Sequence, residues 1–191
     1  KWDGGLFDED SDERLETLKK KPHVTHNSSN NEWYTPSEYI VAAVHVMGAI
    51  DLDPASSWMA NGVIEAAAYY TIEDDGLSKN WSGRVWMNPP YENGLTEKFT
   101  SKLCRHFRDG DISQAIVLVN NASETSWWGE LFATASAVCS PQKRIKYWQP
   151  GVPTGASPLQ GQTFFYFGNL TDKFQNTFRR FGHAYKTKGE T

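Results

Sequence analysis

The chain has 191 residues, of which 39% are hydrophobic, 22% charged and 14% aromatic, with eight Trp and a formal net charge of -4. That length holds one well-buried core but not two full-sized domains, and the acidic balance argues against a protein that coats nucleic acid by bulk electrostatics. Cys104 and Cys139 lie far apart without a C-x-x-C pair, which speaks against a disulfide framework or a zinc cluster, and no apolar run approaches the roughly 18 to 20 residues of a membrane span.

Residues 1–30 change from acidic (Asp8 to Glu13) through basic (Lys19 to Lys21) to polar (Asn27 to Asn31). They read as a flexible extension with one short helix around Arg14 to Lys20. His23 and His26 stand in this polar stretch without further ligands, so no metal is expected. Residues 31–188 read as a single domain. Thr35-Pro36-Ser37-Glu38 has the form of a capping box with Pro at the first helical position. The helix it opens runs to about Met47, with Ile40, Val41, Val44 and Met47 at helical spacing and Gly48 as its stop.

Ala49 to Pro54 suits a short buried strand ended by proline, and the stretch from there to Tyr70 is ambiguous. Arg84 to Met87 reads as a core strand that runs directly into Asn88-Pro89-Pro90-Tyr91. Residues 94–108 are expected to be helical and Gln114 to Val119 to form a strand. Next come a helix over Ser126 to Ala135 and strands over Ala137 to Ser140, Arg144 to Trp148 and Thr163 to Phe167. A helix over Asp172 to Phe181 and a strand over His183 to Lys186 complete the chain. This alternation implies an α/β sheet with helices on both faces. In such sheets ligands bind at the carboxyl ends of the strands, where Asp53 and Asn88 would share one crevice.

The Asn-Pro-Pro-Tyr loop carries the sharpest chemistry. An exocyclic amine conjugated with a ring is a poor nucleophile, so an enzyme that alkylates it needs acceptors for both amino hydrogens. The side-chain carbonyl of Asn88 and the backbone carbonyl of Pro89 can supply them, two prolines fix their position in advance, and Tyr91 offers a ring face to a flipped base. By composition alone the same four letters also make a rigid turn after a strand. Trp33, Trp127 and Trp128 are expected to pack in the core rather than stack on bases.

In its context the loop resembles that of the amino-methyltransferases, and in particular the phage-type N6-adenine DNA methyltransferase family (Dam-like). The resemblance runs from Trp33-Tyr34-Thr35-Pro36 through Asp51-Leu52-Asp53-Pro54-Ala55-Ser56 and Gly76-Leu77 to Trp81-Ser82-Gly83-Arg84-Val85-Trp86-Met87-Asn88-Pro89-Pro90-Tyr91, and more loosely to about residue 170. It implies a Rossmann-like sheet with S-adenosyl-L-methionine across the strand ends. Tyr34, Thr35 and Pro36 would contact the methionine end of that cofactor. Asp53, Pro54 and Ala55 would form the loop after the first strand, with the carboxylate on the cofactor's ammonium, and Asp75 and Leu77 would lie near its adenine. Asn88, Pro89, Pro90 and Tyr91 would be catalytic. The usual glycine-rich loop is replaced by Asp53-Pro54-Ala55-Ser56-Ser57, and Glu65, Glu73 and Asp74 compete for the ribose hydroxyls.

The implied activity is site-specific methyl transfer to the N6 amino group of adenine in DNA, in a bacterial cytoplasm and from a phage or prophage. Lys143, Arg144 and Lys146 are candidates for the phosphates, and short segments such as Glu92 to Glu97 and Gln149 to Gly161 for sequence specificity. The partners implied are DNA and, given the small size, a second copy in a homodimer, with no membrane. Adenine in RNA and the glutamine side chain of a protein suit the same loop. A non-catalytic module that binds nucleic acid or protein is the reading from a different class.

Overall fold

The computed structural model describes residues 33–92, 94–149, 151 and 160–187; the helix expected around Arg14 to Lys20 and most of the segment from Gln149 to Gly161 lie outside them. The described elements in chain order are α1 (Ser37–Met47), β1 (Leu52–Asp53), α2 (Trp58–Ile64), β2 (Ala68–Tyr69), a 3-10 turn (Gly76–Ser78), β3 (Gly83–Met87), α3 (Leu95–Asp109), β4 (Ile112–Asn120), α4 (Ser126–Thr134), β5 (Ala137–Pro141), β6 (Gln162–Phe167), α5 (Thr171–Phe178) and β7 (Gly182–Lys186). The strands form one sheet in the order β2-β1-β3-β4-β6-β5-β7. Neighbours from β2 to β4 run parallel, whereas β6 is antiparallel to β4 and β5, and β7 to β5.

Side chains alternate across a strand, so a run that is apolar at every position must be covered on both faces. β4 and β6 are such runs. Ile116, Leu118, Phe164 and Tyr166 pack with Trp86 against α1, α2 and α5 on one face. Val117, Val119, Phe165 and Phe167 pack with Val85 and Met87 against α3 and α4 on the other. The expected α/β sheet with helices on both faces is what the chain forms.

Two local expectations fail for identifiable reasons. The capping box at the start of α1 is not made: Pro36 is the N-cap residue and no side chain caps the helix, because the Thr35 hydroxyl is engaged by Asn88 instead. The strand expected over Arg144 to Trp148 does not form. Among the described residues only Trp148 makes a ladder contact, an isolated bridge to Tyr34; the places beside β4 and β5 are taken by β3, β6 and β7.

The sheet has a switch point. β1 pairs with β2 on one side and β3 on the other, so the connections leaving β1 and β3 diverge to opposite faces and open a cleft between the strand ends.

Candidate active site

A crevice of about 770 Å³ occupies that cleft. Its wall takes in Tyr34 and Thr35 before α1, Asp53 to Ser57 after β1, Thr71, Ile72 and Asp75 to Leu77 after β2, Trp86 and Asn88 to Glu92 on and after β3, Asn120 at the end of β4, and Tyr147. Most of the residues singled out from the sequence therefore converge on one cavity. Pro36 does not reach the wall. Lys143, Arg144 and Lys146 are exposed in the loop that leads into Tyr147 and do not line the cavity.

Asp53 is 2% exposed. Its Oδ1 accepts the backbone N–H of Ala55 at 3.2 Å, and no cation stands against it among the described residues. Burial is the dominant influence and pushes its pKa from 3.8 up to about 7; the Ala55 N–H and the nearby Ser56 hydroxyl pull the other way and lose. The Ser56 hydroxyl is itself sealed from water and falls short of hydrogen-bond geometry with any described residue. An isolated buried carboxylate is costly, and a ligand cation would relieve that cost.

The loop after β3 is braced at both ends. Asn88 Nδ2 donates to the Thr35 hydroxyl at 3.4 Å, which turns the amide oxygen toward Tyr91, whose hydroxyl donates to it at 3.5 Å. The Tyr91 hydroxyl in turn accepts the backbone N–H of Asn120 at 3.0 Å. The Tyr91 ring is 45% exposed while its hydroxyl is turned inward. Thr96, in the first turn of α3, donates its hydroxyl to the Pro90 carbonyl at 2.8 Å. No described residue donates to the carbonyl of Pro89. Both contacts to the Asn88 amide are at the long limit of hydrogen bonding, so a better-placed donor would displace the one on its oxygen.

The 3-10 turn is fixed from below. Trp81 Nε1 donates to the Gly76 carbonyl at 2.8 Å, Trp81 stacks on Phe99 with centroids 5.7 Å apart, and Lys102 donates to the Leu77 carbonyl at 2.7 Å. A Cβ on Gly76 would lie 2.1 Å from the Pro54 carbonyl oxygen. The close backbone approach beside the first loop is thus made by a glycine from a different segment, which is how Asp53 to Ser57 dispenses with glycines of its own. None of Glu65, Glu73 and Asp74, the rivals for a ribose, lines the crevice. Asp74 is occupied in accepting from the Thr71 backbone and hydroxyl at 2.9 and 3.0 Å.

Sequence reasoning missed several wall residues. Trp33, expected in the core, is 45% exposed and lines the cavity, whereas Trp127 and Trp128 do pack against the core. Trp86 was legible in principle: it stands two residues before Asn88 and hence on the same face of the strand. Ile72, Asn120 and Tyr147 carried no local signal, since each is brought in by a different connection. Among the described residues no group of His, Cys, Asp and Glu could hold a metal ion, and no helix is long and apolar enough to cross a membrane.

Residues 23–164 match the protein family described as DNA N-6-adenine-methyltransferase (Dam). No curated protein matches the chain.

Proposed function

The chain belongs to the DNA N-6-adenine-methyltransferase (Dam) family, and on that premise we propose that it moves a methyl group from S-adenosyl-L-methionine to the N6 amino group of an adenine at a specific DNA site. The observation that carries this reading is the meeting, in one crevice at neighbouring strand ends, of a buried carboxylate without a cation and a braced Asn-Pro-Pro-Tyr loop.

The donor set fits the cofactor. Asp53 would provide the anion for its ammonium, the Trp86 indole N–H is buried without a partner among the described residues, and Asp75 and Leu77 line the same crevice in the turn whose Gly76 approaches the Pro54 carbonyl. When bound, S-adenosyl-L-methionine supplies an electrophilic methyl group on a positively charged sulfur. The protein's own residues prepare the nucleophile. The Asn88 amide oxygen would accept one amino hydrogen and the Pro89 carbonyl the other, which would draw the nitrogen out of conjugation and free its lone pair for the methyl group that the cofactor would supply. The proton displaced from the methylated nitrogen would leave to solvent, with the two carbonyl oxygens only orienting the N–H bonds. Tyr91, with its ring face half exposed at the cavity mouth, stacks on the flipped base. Lys143, Arg144 and Lys146 hold the phosphates beside it.

The test is methyl transfer from labelled S-adenosyl-L-methionine to mixed-sequence duplex DNA, with RNA and protein controls. Label recovered as N6-methyladenine in DNA is the expected result. Label in RNA adenine or in protein glutamine would replace the substrate while keeping the loop chemistry, and no binding of the cofactor would sink the enzymatic reading.

A further inference from the structure

Three residues that line the crevice each carry a polar atom that is sealed from water and makes no geometric hydrogen bond among the described residues: the Ser56 hydroxyl, the Trp86 indole N–H and the Tyr147 hydroxyl. Buried polar groups are almost always paired, because the unmade bond forfeits the water it gave up. The Ser56 hydroxyl stands close enough to Asp53 to lower its pKa, whereas the Trp86 indole N–H and the Tyr147 hydroxyl keep an unused donor. Ser56 lies beside Asp53 and Trp86 on the strand between the two sites. Tyr147 belongs to a different segment, packed against the core cluster that contains Trp86. It comes from the loop between β5 and β6, across the crevice, close enough to Tyr91 and Tyr39 for their phenols to disfavour its ionisation.

The segment that carries Tyr147 is held on both sides. Ile145 donates its N–H to Gln162 Oε1 at 3.1 Å, and Trp148 exchanges backbone hydrogen bonds with Tyr34 at 2.8 and 3.0 Å while their rings lie 5.0 Å apart. Gln162, 2% exposed, also donates to Asn120 Oδ1 at 3.3 Å, and Asn120 gives its N–H to Tyr91. One buried amide thus ties Tyr147's segment to the strand end that anchors the stacking ring. Fixing a tyrosine this firmly and then leaving its hydroxyl unpaired has no use for stability.

We propose that Tyr147 is a specificity-determining residue that reads the target base: its hydroxyl donates to a ring nitrogen flanking the amino group, N1 or N7, once the base enters between Tyr147 and the Asn88–Tyr91 loop. This rests on the reading of the chain as an adenine methyltransferase. An adenine presents an amine beside a bare ring acceptor on either side, so two acceptors for the amine and one donor for a neighbouring nitrogen match the base edge. Burial and the two neighbouring phenols hold the Tyr147 hydroxyl well above its ordinary pKa, which keeps it a donor throughout the neutral range.

The experiment uses the full chain and its Tyr147→Phe variant on duplexes bearing adenine, 1-deazaadenine or 7-deazaadenine at the target position, with cofactor affinity and Tm measured in parallel. The variant should keep its Tm and its affinity for S-adenosyl-L-methionine, and lose about tenfold in kcat/KM on adenine. The ratio of wild type to variant should persist on one deaza base and collapse to about one on the other, and the base on which it collapses identifies the nitrogen read. The proposal is overturned if the variant equals the wild type on adenine, if the loss falls on cofactor affinity instead, or if the ratio is the same on all three bases. Failure of the wild type to make N6-methyladenine at all overturns the functional reading and this inference with it.

Discussion

Asp51 and Asp53 are two residues apart at the two ends of the same short strand, and their surroundings are opposite. Asp51 accepts from the Arg84 backbone N–H and Nε, both at 2.8 Å, and from Nη2 at 2.7 Å, while Arg84 Nη1 reaches the Met47 carbonyl. A Cβ on Gly83 would sit 2.7 Å from the same carboxylate. At this amino end of the parallel strands Asp51 and Arg84 answer each other, and the hydrogen bonds from Arg84 hold the Asp51 pKa below its ordinary value. At the carboxyl end no cation stands against Asp53 among the described residues, and its pKa is pushed the other way. The Trp86 indole N–H has no hydrogen-bond partner among the described residues. The difference teaches where the fold stores stability and where it keeps binding capacity. A satisfied end closes the sheet, and an unsatisfied end is complementary to something not made of protein.

The comparison is tested most strongly by Asn88→Ala. The amide's two contacts are long, so Tm should barely move, while kcat should fall by about 10²- to 10³-fold, as for loss of one preorganised polar group in an active site. A fall in Tm without loss of turnover would make the carboxyl end structural after all. Asp53→Asn should follow, weakening cofactor binding by about tenfold or more, measured by calorimetry. The same change should stabilise the fold at pH 8. The native state raises the pKa of this carboxyl from 3.8 to about 7, so its favourable contribution is full below the lower value and is lost as pH rises through the higher one. Asparagine has no charge to bury, and its advantage in Tm should therefore fade toward pH 4.

A pH series sharpens the point with the unaltered chain. Cofactor affinity should rise between pH 6 and pH 8 as Asp53 ionises, by at most about tenfold per unit, and the Asp53→Asn variant should be flat over that range. The smallest effect is expected at the amino end. Asp51→Asn breaks an ion pair whose carboxylate is 38% exposed, so it should cost only about 1 kcal/mol, read as a Tm lower by about 2–4 °C, with kcat and cofactor affinity unchanged. Since Arg84 lowers the Asp51 pKa, that contribution is present above the ordinary value of 3.8 and disappears as pH falls through the lowered one. The two proteins should converge in acid. An effect of Asp51→Asn on cofactor affinity would erase the distinction between the two ends.

The sequence by itself determined the elements whose signal is local. Apolar runs in Gln114 to Val119 and Thr163 to Phe167 specify strands covered on both faces, helical spacing specifies α1, and Gly48 and Gly110 specify helix ends, because these preferences act within a few residues of chain. The order of Asp53 and the Asn88–Tyr91 loop behind two core strands was enough to bring them to one crevice. Tertiary structure decided whatever depends on which strand lies beside which. With β6 between β4 and β5, Arg144 to Trp148 stays outside the sheet and Tyr147 lines the crevice. Engagement of Thr35 by Asn88, 53 residues away, turned an apparent helix cap into a brace for the Asn88–Tyr91 loop. The carboxylates at positions 51 and 53 look alike in the sequence, and only the packing of Arg84 beside one and apolar burial around the other separates them. Charge and hydrogen-bond satisfaction belong to distances in space, and those are fixed only when the whole sheet closes.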